Sequence, residues 1–189
     1  IDGYDAIQWI SNQTWCNGNI GMMGGSYRGM VQWMTLKQRP KALKTIVPTA
    51  SVGPGNDFPM EDGIFMNYAL QWLSLTGGTS SNGKIFSQTD FWEKKETEKL
   101  ENFVPFKDWD SLALNTRNTV FQKWISHPDF DEYWQNLYPT EKNYEDFDIP
   151  ILTITGYFDG DQPGAMRYYE QHMQYGTTTG KSKHHLILG

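Results

Sequence analysis

A glycine-rich turn between an apolar run and a helical pattern restricts the fold of this chain more than any other feature. Residues 19–24 form a short apolar run that ends in glycine, and residues 26–38 repeat apolar side chains at helical spacing. The sequence Gly-Gly-Ser-Tyr-Arg-Gly at positions 24–29 joins them. This order is typical of a nucleophile elbow, in which a strained turn exposes a serine hydroxyl above a sheet. We therefore predict that Ser26 is a nucleophile.

The composition of this turn has a physical reason. Only small neighbours let a helix and a strand approach closely around a strained serine. The usual pattern has glycine two residues after the serine, whereas Arg28 stands there and Gly29 follows. The backbone N–H of Tyr27, at the start of the helix, is expected to help hold the negative oxygen that forms during acyl transfer.

Other apolar runs predict the remaining strands of a parallel sheet. Residues 43–49, 150–156 and 184–188 are short and do not alternate with polar residues, as is typical of buried parallel strands. A helical pattern at 164–175 separates the last two, and residues 1–15 are interpreted as a helix already under way at the first residue. The order of elements predicts an α/β fold with a doubly wound parallel sheet.

A long insertion divides this sheet region. Residues 55–146 are rich in aromatic and charged side chains, so we predict a helical cap there, with the sheet core formed by residues 1–54 and 147–189. The aromatic residues either line a pocket or pack on the core. The helices predicted in the cap span residues 64–75, 90–100 and 114–125.

A nucleophilic serine needs a histidine base, and the base needs a carboxylate that orients it. In α/β-hydrolases these residues follow the chain order Ser, Asp, His. Asp159 fits, because it follows the run 150–156 at the end of a strand where ligands bind in open α/β sheets. Asp161 is the alternative, and Asp-Gly at 159–160 is also ordinary turn chemistry. We prefer Asp159, because it lies nearer the strand.

The histidine base is not evident in the chain. His184 and His185 open the last strand, at the end away from the expected site, while His127 lies in the insertion and His172 on a helix. Structural roles are expected for all four. We therefore expect the base to follow Gly189, and the chain by itself to be inactive.

Charge and composition exclude several other functions. The net charge is −6 and the 16 basic residues are scattered, so we expect no nucleic-acid partner. No apolar run approaches the roughly 20 residues that cross a bilayer, so no membrane partner is expected, and the compartment stays open. Cys16 is the single cysteine, which excludes a disulfide within the chain.

Two other patterns resemble binding motifs but lack a residue that each needs. Residues 78–85 come close to a phosphate-binding loop, but Ile85 replaces the hydroxyl residue that holds magnesium. Residues 159–170 imitate a calcium loop, but Pro163 has no side-chain oxygen at the fifth position. We expect no cofactor and no metal.

Three segments carry a resemblance to a known family. The elbow sequence at 17–29 resembles that of the X-Pro dipeptidyl-peptidase-like acyl hydrolases, which include esterases and acylases. The sequence Trp-Ile-Ser-His-Pro-Asp-Phe-Asp-Glu-Tyr-Trp at 124–134 is similar to part of that family's cap. Thr-Gly-Tyr-Phe-Asp-Gly at 155–160 resembles the segment that holds its triad acid.

The resemblance implies an α/β-hydrolase with Ser26 as nucleophile, Asp159 as triad acid and a base just past Gly189. It implies that the first strands and a tyrosine of the oxyanion hole precede Ile1, and that a carboxyl-terminal β-sandwich lies outside the chain. The expected substrate is a small ester, amide or peptide, and esterase, peptidase and acylase all stay open. The alternative is a non-catalytic module that binds an acyl or aromatic ligand. Without the earlier strands, we expect self-association through the sheet edge at 19–23.

Overall fold

The computed structural model describes residues 2–76 and 83–189, and a four-stranded parallel sheet lies at its centre. Its strands follow the order β1-β2-β5-β6, and each neighbouring pair is parallel. A short antiparallel pair, β3 with β4, lies apart from it. The strands are β1 (Ile20–Ser26), β2 (Leu43–Ser51), β3 (Met60–Glu61), β4 (Ile64–Phe65), β5 (Ile151–Thr155) and β6 (His184–Leu188). The parallel sheet confirms the predicted α/β class.

The helices lie before the first of these strands and between them. A 3₁₀ turn spans Phe106–Asp108. The helices are α1 (Asp2–Ser11), α2 (Tyr27–Lys37), α3 (Tyr68–Thr76), α4 (Gly83–Phe86), α5 (Thr89–Glu101), α6 (Trp109–Leu114), α7 (Thr119–Ile125), α8 (Glu132–Gln135), α9 (Glu141–Asp146), α10 (Gln162–Tyr175) and α11 (Thr178–Ser182).

Two predicted helices were wrong in extent. The helix predicted at 64–75 begins only at Tyr68, because residues 64–65 pair with residues 60–61 as strands. The helix predicted at 114–125 is broken, because Asn115 has a positive φ of 54° and ends α6. Asn118 then caps α7 by accepting the N–H of Phe121 at 3.0 Å. Asparagine favours both positions, since it tolerates left-handed backbone and caps helix N-termini.

The chain divides into two compact units. The first comprises Ile1–Phe58 with Glu132–Gly189, and the second is Pro59–Asp131. The second unit is shorter than the predicted insertion, because residues 55–58 and 132–146 pack with the sheet. Most of the phosphate-loop resemblance at 78–85 lies outside the described residues. Across the described part of the chain, no helix is long and apolar enough to cross a membrane.

Aromatic side chains fill the core of each unit. In the first unit, Trp33 of α2 is fully buried and stacks on Tyr168 of α10, with ring centroids 5.0 Å apart. This contact joins the helix after β1 to the helix after β5, so the two helices that flank the candidate site share one core. The core of the second unit consists of Leu70, Leu73, Trp92, Trp109, Ala113 and Phe121.

Candidate active site

Ser26 has the backbone of a nucleophile elbow. It ends β1 and precedes the first residue of α2, with φ 57° and ψ −127°, and its side chain does not cap the helix. Few L-residues adopt this conformation, and such strain is kept where the surrounding structure imposes it. The serine is exposed at the carboxyl end of a parallel strand, where ligands bind in open α/β sheets.

Gly29 explains why the elbow tolerates Arg28. A Cβ atom on Gly29 would lie 3.0 Å from the Cα of Ser51, so the close approach of α2 to β2 occurs three residues after the serine. The glycine of the usual pattern has been displaced by one position. The Arg28 side chain instead packs over Gly24, where a Cβ atom would lie 2.8 Å from the Cβ of Arg28.

Gln32 braces the elbow, and the sequence analysis did not select it. Its Nε2 donates to the carbonyls of Gly24 (3.1 Å) and Arg28 (3.0 Å), and its Oε1 accepts the N–H of Val47 at 2.9 Å. The side chain is fully buried. A polar residue on the buried stripe of α2, three residues after Gly29 and four before Leu36, is the signal that would have identified it.

The turn after β5 carries both candidate acids. Asp159 is exposed, and its Oδ1 accepts the N–H of Asp161 at 2.8 Å. Burial raises the pKa of Asp161, the nearby Ser26 hydroxyl lowers it, and the charge of Asp159 raises it. The structure thus places the Asp161 carboxylate near the Ser26 hydroxyl, while Asp159 holds the turn.

The predicted oxyanion donor lies at a helix start. Tyr27 is the first residue of α2, where backbone N–H groups have no partner within the helix, and its ring is 46% exposed. These amides and the helix dipole favour negative charge next to the serine hydroxyl.

The histidines of the first unit lie away from Ser26. His184 and His185 begin β6, at the amino end of the sheet, opposite the end that carries the serine. His184 is buried beside His172, with their Nδ1 atoms 2.9 Å apart, and its Nε2 lies 2.9 Å from the Thr153 hydroxyl. Burial lowers the pKa of His184 to about 3. In the second unit, His127 pairs with Asp131 at 2.6 Å.

The end of β6 leads back to the acid turn. The N–H of Gly189 donates to Thr155 at 3.1 Å, and the N–H of Tyr157 donates to the Gly189 carbonyl at 2.7 Å. The carboxyl end of β6 therefore lies beside the turn that carries Asp159. Among residues 2–76 and 83–189, no group of three or more His, Cys, Asp or Glu side chains is placed to hold a metal ion.

Asp57 is a second residue that the sequence analysis missed. It lies in the loop after β2 and is 2% exposed, and its Oδ1 accepts the N–H of Gly53 at 2.7 Å. Its Oδ2 accepts the N–H of Gly164, in the first turn of α10, at 2.6 Å. Burial raises the pKa of Asp57 to about 7, against the lowering effect of these two hydrogen bonds. All residues named at Ser26, Asp159 and Asp57 belong to the first unit.

Solved structures share this arrangement over the whole chain. An α-amino acid ester hydrolase matches 100% of the chain and 31% of its own, with a TM-score of 0.71 and 22% identity. An aminopeptidase from a marine sediment archaeon of the Thaumarchaeota also matches 100% of this chain and 31% of its own, with a TM-score of 0.70 and 24% identity. The parallel sheet and these neighbours define the chain as a protein of the α/β class.

The sequence comparison is more specific. Residues 1–189 match the X-Pro dipeptidyl-peptidase (S15) family, and the chain belongs to it. The cocaine esterase of Rhodococcus sp. (strain MB1 Bresler) is 28% identical over 188 residues, covering 89% of this chain and 31% of the esterase. The Xaa-Pro dipeptidyl-peptidase of Lactobacillus helveticus is 44% identical over 50 residues, covering 26% of this chain and 6% of the peptidase. The chain spans about a third of the length of the esterase it matches. The family predicted from the three segments is confirmed.

Proposed function

We propose that the whole protein is a serine hydrolase that cleaves an ester or amide bond through an acyl-enzyme on Ser26. The observation that carries the proposal is the backbone of Ser26, φ 57° and ψ −127°, at the junction of β1 and α2. This strained turn presents a hydroxyl at the start of a helix, where the helix dipole favours the negative charge of a developing oxyanion.

The reaction follows from the groups around that hydroxyl. The Ser26 oxygen attacks the carbonyl carbon, and its proton passes to a histidine base, which then protonates the leaving alcohol or amine. Water, activated by the same base, attacks the acyl-enzyme and releases the acid. We assign the base to the segment after Gly189, because the pairing of Gly189 with Thr155 directs that segment toward Asp159. Asp159 then orients the base, and the Tyr27 N–H is one of the donors to the oxyanion.

Asp161 supports a preference for acyl groups that carry a cation, such as a free amino group. Its half-buried carboxylate lies near the Ser26 hydroxyl. It therefore attracts a cation beside the scissile carbonyl and repels an anion. Two esters of equal size, one with and one without an α-amino group, test this. The Asp161→Asn variant is expected to lose the difference in kcat/KM between them.

Fluorophosphonate labelling of the whole protein, mapped by mass spectrometry, tests the nucleophile. We expect an adduct on the peptide that contains Ser26 and none in the Ser26→Ala variant. An unlabelled protein that is folded by circular dichroism would contradict the triad. It would favour instead a non-catalytic module that holds an acyl or aromatic ligand, and equilibrium binding of a substrate analogue without turnover would identify that module.

We also propose that the chain, produced by itself, self-associates through β1. Within the described residues β1 pairs with β2 alone, which leaves its other edge without a strand, and Met23 on this strand is 81% exposed. Light scattering of the isolated chain is expected to show dimers or larger species. A monomer at high concentration would contradict this proposal.

A further inference from the structure

The first turn of α10 is capped in an unusual way. Asp161 is the N-cap residue and Gln162 and Pro163 follow it, so Gly164 holds the third helical position. An N-cap side chain normally accepts the N–H of the second or third helical residue. Pro163 has no N–H, so only the N–H of Gly164 is available to such a cap. Asp161 nevertheless makes no side-chain cap bond.

Three other helices of this chain show the ordinary arrangement. Asn118, Thr140 and Thr177 each accept the N–H of the third helical residue, and each has extended backbone, with ψ of 113°, 167° and 162°. Asp161 differs from these three, because its ψ is 10° and its carboxylate lies near the Ser26 hydroxyl. Asp108, before α6, has a similar ψ of 7° and likewise makes no cap bond.

Asp57 supplies the missing cap from 107 residues away in the chain. Its Oδ2 accepts the Gly164 N–H at 2.6 Å, and its Oδ1 ties the same carboxylate to Gly53 in the loop after β2. The two glycines let these segments touch, since a Cβ atom on Gly53 would lie 2.6 Å from the Cα of Gly164. The loop that follows the β2 partner of the elbow is thereby fixed to the helix that follows the acid turn.

We propose that Asp57 is a positioning residue of the active site, which caps α10 in place of Asp161 and so leaves the Asp161 carboxylate free to face Ser26. The proposal rests on the proposed function of Ser26. It predicts that removing Asp57 turns Asp161 away from the serine, because the Gly164 N–H then takes the nearest carboxylate.

A crystal structure of the whole protein with Asp57→Ala tests the geometry without activity. We expect the Asp161 carboxylate within 3.2 Å or so of the Gly164 N, an ordinary hydrogen-bond length, with extended backbone at Asp161. The proposal would be overturned if the Asp161 carboxylate stayed near the Ser26 hydroxyl and a water accepted the Gly164 N–H. Because this readout needs no catalysis, it decides the proposal even if Ser26 proves unreactive.

A double-mutant cycle tests the consequence, using the rate constant for fluorophosphonate labelling of Ser26. In the wild-type background, Asp161→Asn is expected to change that rate about 10-fold. In the Asp57→Ala background, or in Asp57→Val if the alanine variant does not fold, no side-chain acceptor is left at position 57, and the change falls below about 2-fold. Equal effects in the two backgrounds would overturn the proposal. Asp148→Asn, at an exposed ion pair with Lys183, is the control and is expected to be additive.

Discussion

A Cβ atom on Gly29 would lie 3.0 Å from the Cα and 3.0 Å from the Cβ of Ser51, so α2 touches the end of β2 at this glycine. Ser26 lies one turn earlier in the chain, and its position depends on how closely the helix approaches. Backbone atoms cannot move aside as the end of a flexible side chain can. The displaced glycine is therefore the steric requirement of this elbow.

Gly29→Ala is expected to destabilise the protein by about 1 kcal/mol. Overpacking costs about 1–3 kcal/mol, and the better helix propensity of alanine offsets roughly 1 kcal/mol of it. The shift of α2 should also slow labelling of Ser26. Urea unfolding and labelling rates measure the two effects. Gly160→Ala is the matched control, because nothing lies within 4 Å of a Cβ atom there, and it should leave stability unchanged.

Much of this elbow could be predicted from sequence, since local patterns determine it. The apolar run, the glycines and the helical spacing after Ser26 all lie within about twenty residues. The hydrogen bonds of Gln32 could not be predicted in the same way. Gln32 reaches Val47 on another strand, and only the parallel pairing of β1 with β2 brings them together.

The role of Asp57 was still harder to predict from local sequence patterns. Nothing near it in sequence marks it, because its partner Gly164 is 107 residues away and much of the intervening chain, Pro59–Asp131, forms a separate unit. The broken helix at Asn115 was missed for a local reason. Residues 114–125 keep apolar side chains at helical spacing, and the capping preference of Asn118 outweighs that periodicity.

Gln32→Leu is expected to lower the free energy of unfolding by about 3 kcal/mol. Leucine fills a similar volume but leaves the Gly24 carbonyl and the Val47 N–H buried without their partner, at about 1–3 kcal/mol each. Labelling of Ser26 should slow as well, since Gly24 lies two residues before it. In Gln13→Leu, which removes an exposed bond to Trp9, urea unfolding should change by less than about 0.5 kcal/mol. Equal losses in the two variants would argue against a brace.

The two acids of the turn are expected to differ sharply in activity. Asp159→Asn should lower kcat/KM about 10⁴-fold, the loss typical when a triad acid no longer orients its histidine. Asp161→Asn should lower it about 10-fold with an amino ester, because attraction to the substrate cation is lost while the triad acid stays in place. Kinetics with one ester measure both variants. The reverse ranking would assign the triad acid to Asp161.

His184 makes the protein less stable as the pH falls. Neutral rings satisfy its two contacts: when Thr153 donates to the His184 Nε2, the His184 Nδ1–H donates to the His172 Nδ1. Both rings are then neutral. Because burial lowers the pKa of His184 to about 3, the unfolded chain, with a pKa of about 6.5, binds the extra proton. Stability from this residue is complete above about pH 6.5.

His184→Gln tests this dependence by urea unfolding at several pH values. The stability that His184 contributes, measured as the difference in unfolding free energy between wild type and variant, should fall by up to about 1.4 kcal/mol for each pH unit below 6.5. That difference therefore narrows toward pH 4. A constant difference for His184→Gln would mean that His184 titrates normally.

Asp57 makes the free energy of unfolding depend on pH in the opposite direction. Burial raises its pKa to about 7, whereas an unfolded chain releases this proton near pH 3.9. The folded protein thus holds more protons between these values, and the stability that the neutral carboxyl contributes below about pH 4 is lost as the pH rises to 7. Asp57→Asn removes the titration, so the unfolding free energy of the wild type should fall relative to the variant across this window.

The wild-type profile alone cannot separate the two residues, because their slopes oppose each other between about pH 4 and 6.5 and are similar in size. Urea unfolding of Asp57→Asn should therefore show a stability that rises with pH through this range, with the slope that His184 supplies. In His184→Gln, stability should fall as the pH rises through this range, because only the titration of Asp57 remains. In the double variant, neither residue should contribute to the pH dependence of stability. If Asp57→Asn keeps the wild-type profile, the Asp57 carboxyl is ionised throughout the range, and its bond to Gly164 is that of a carboxylate at every pH tested.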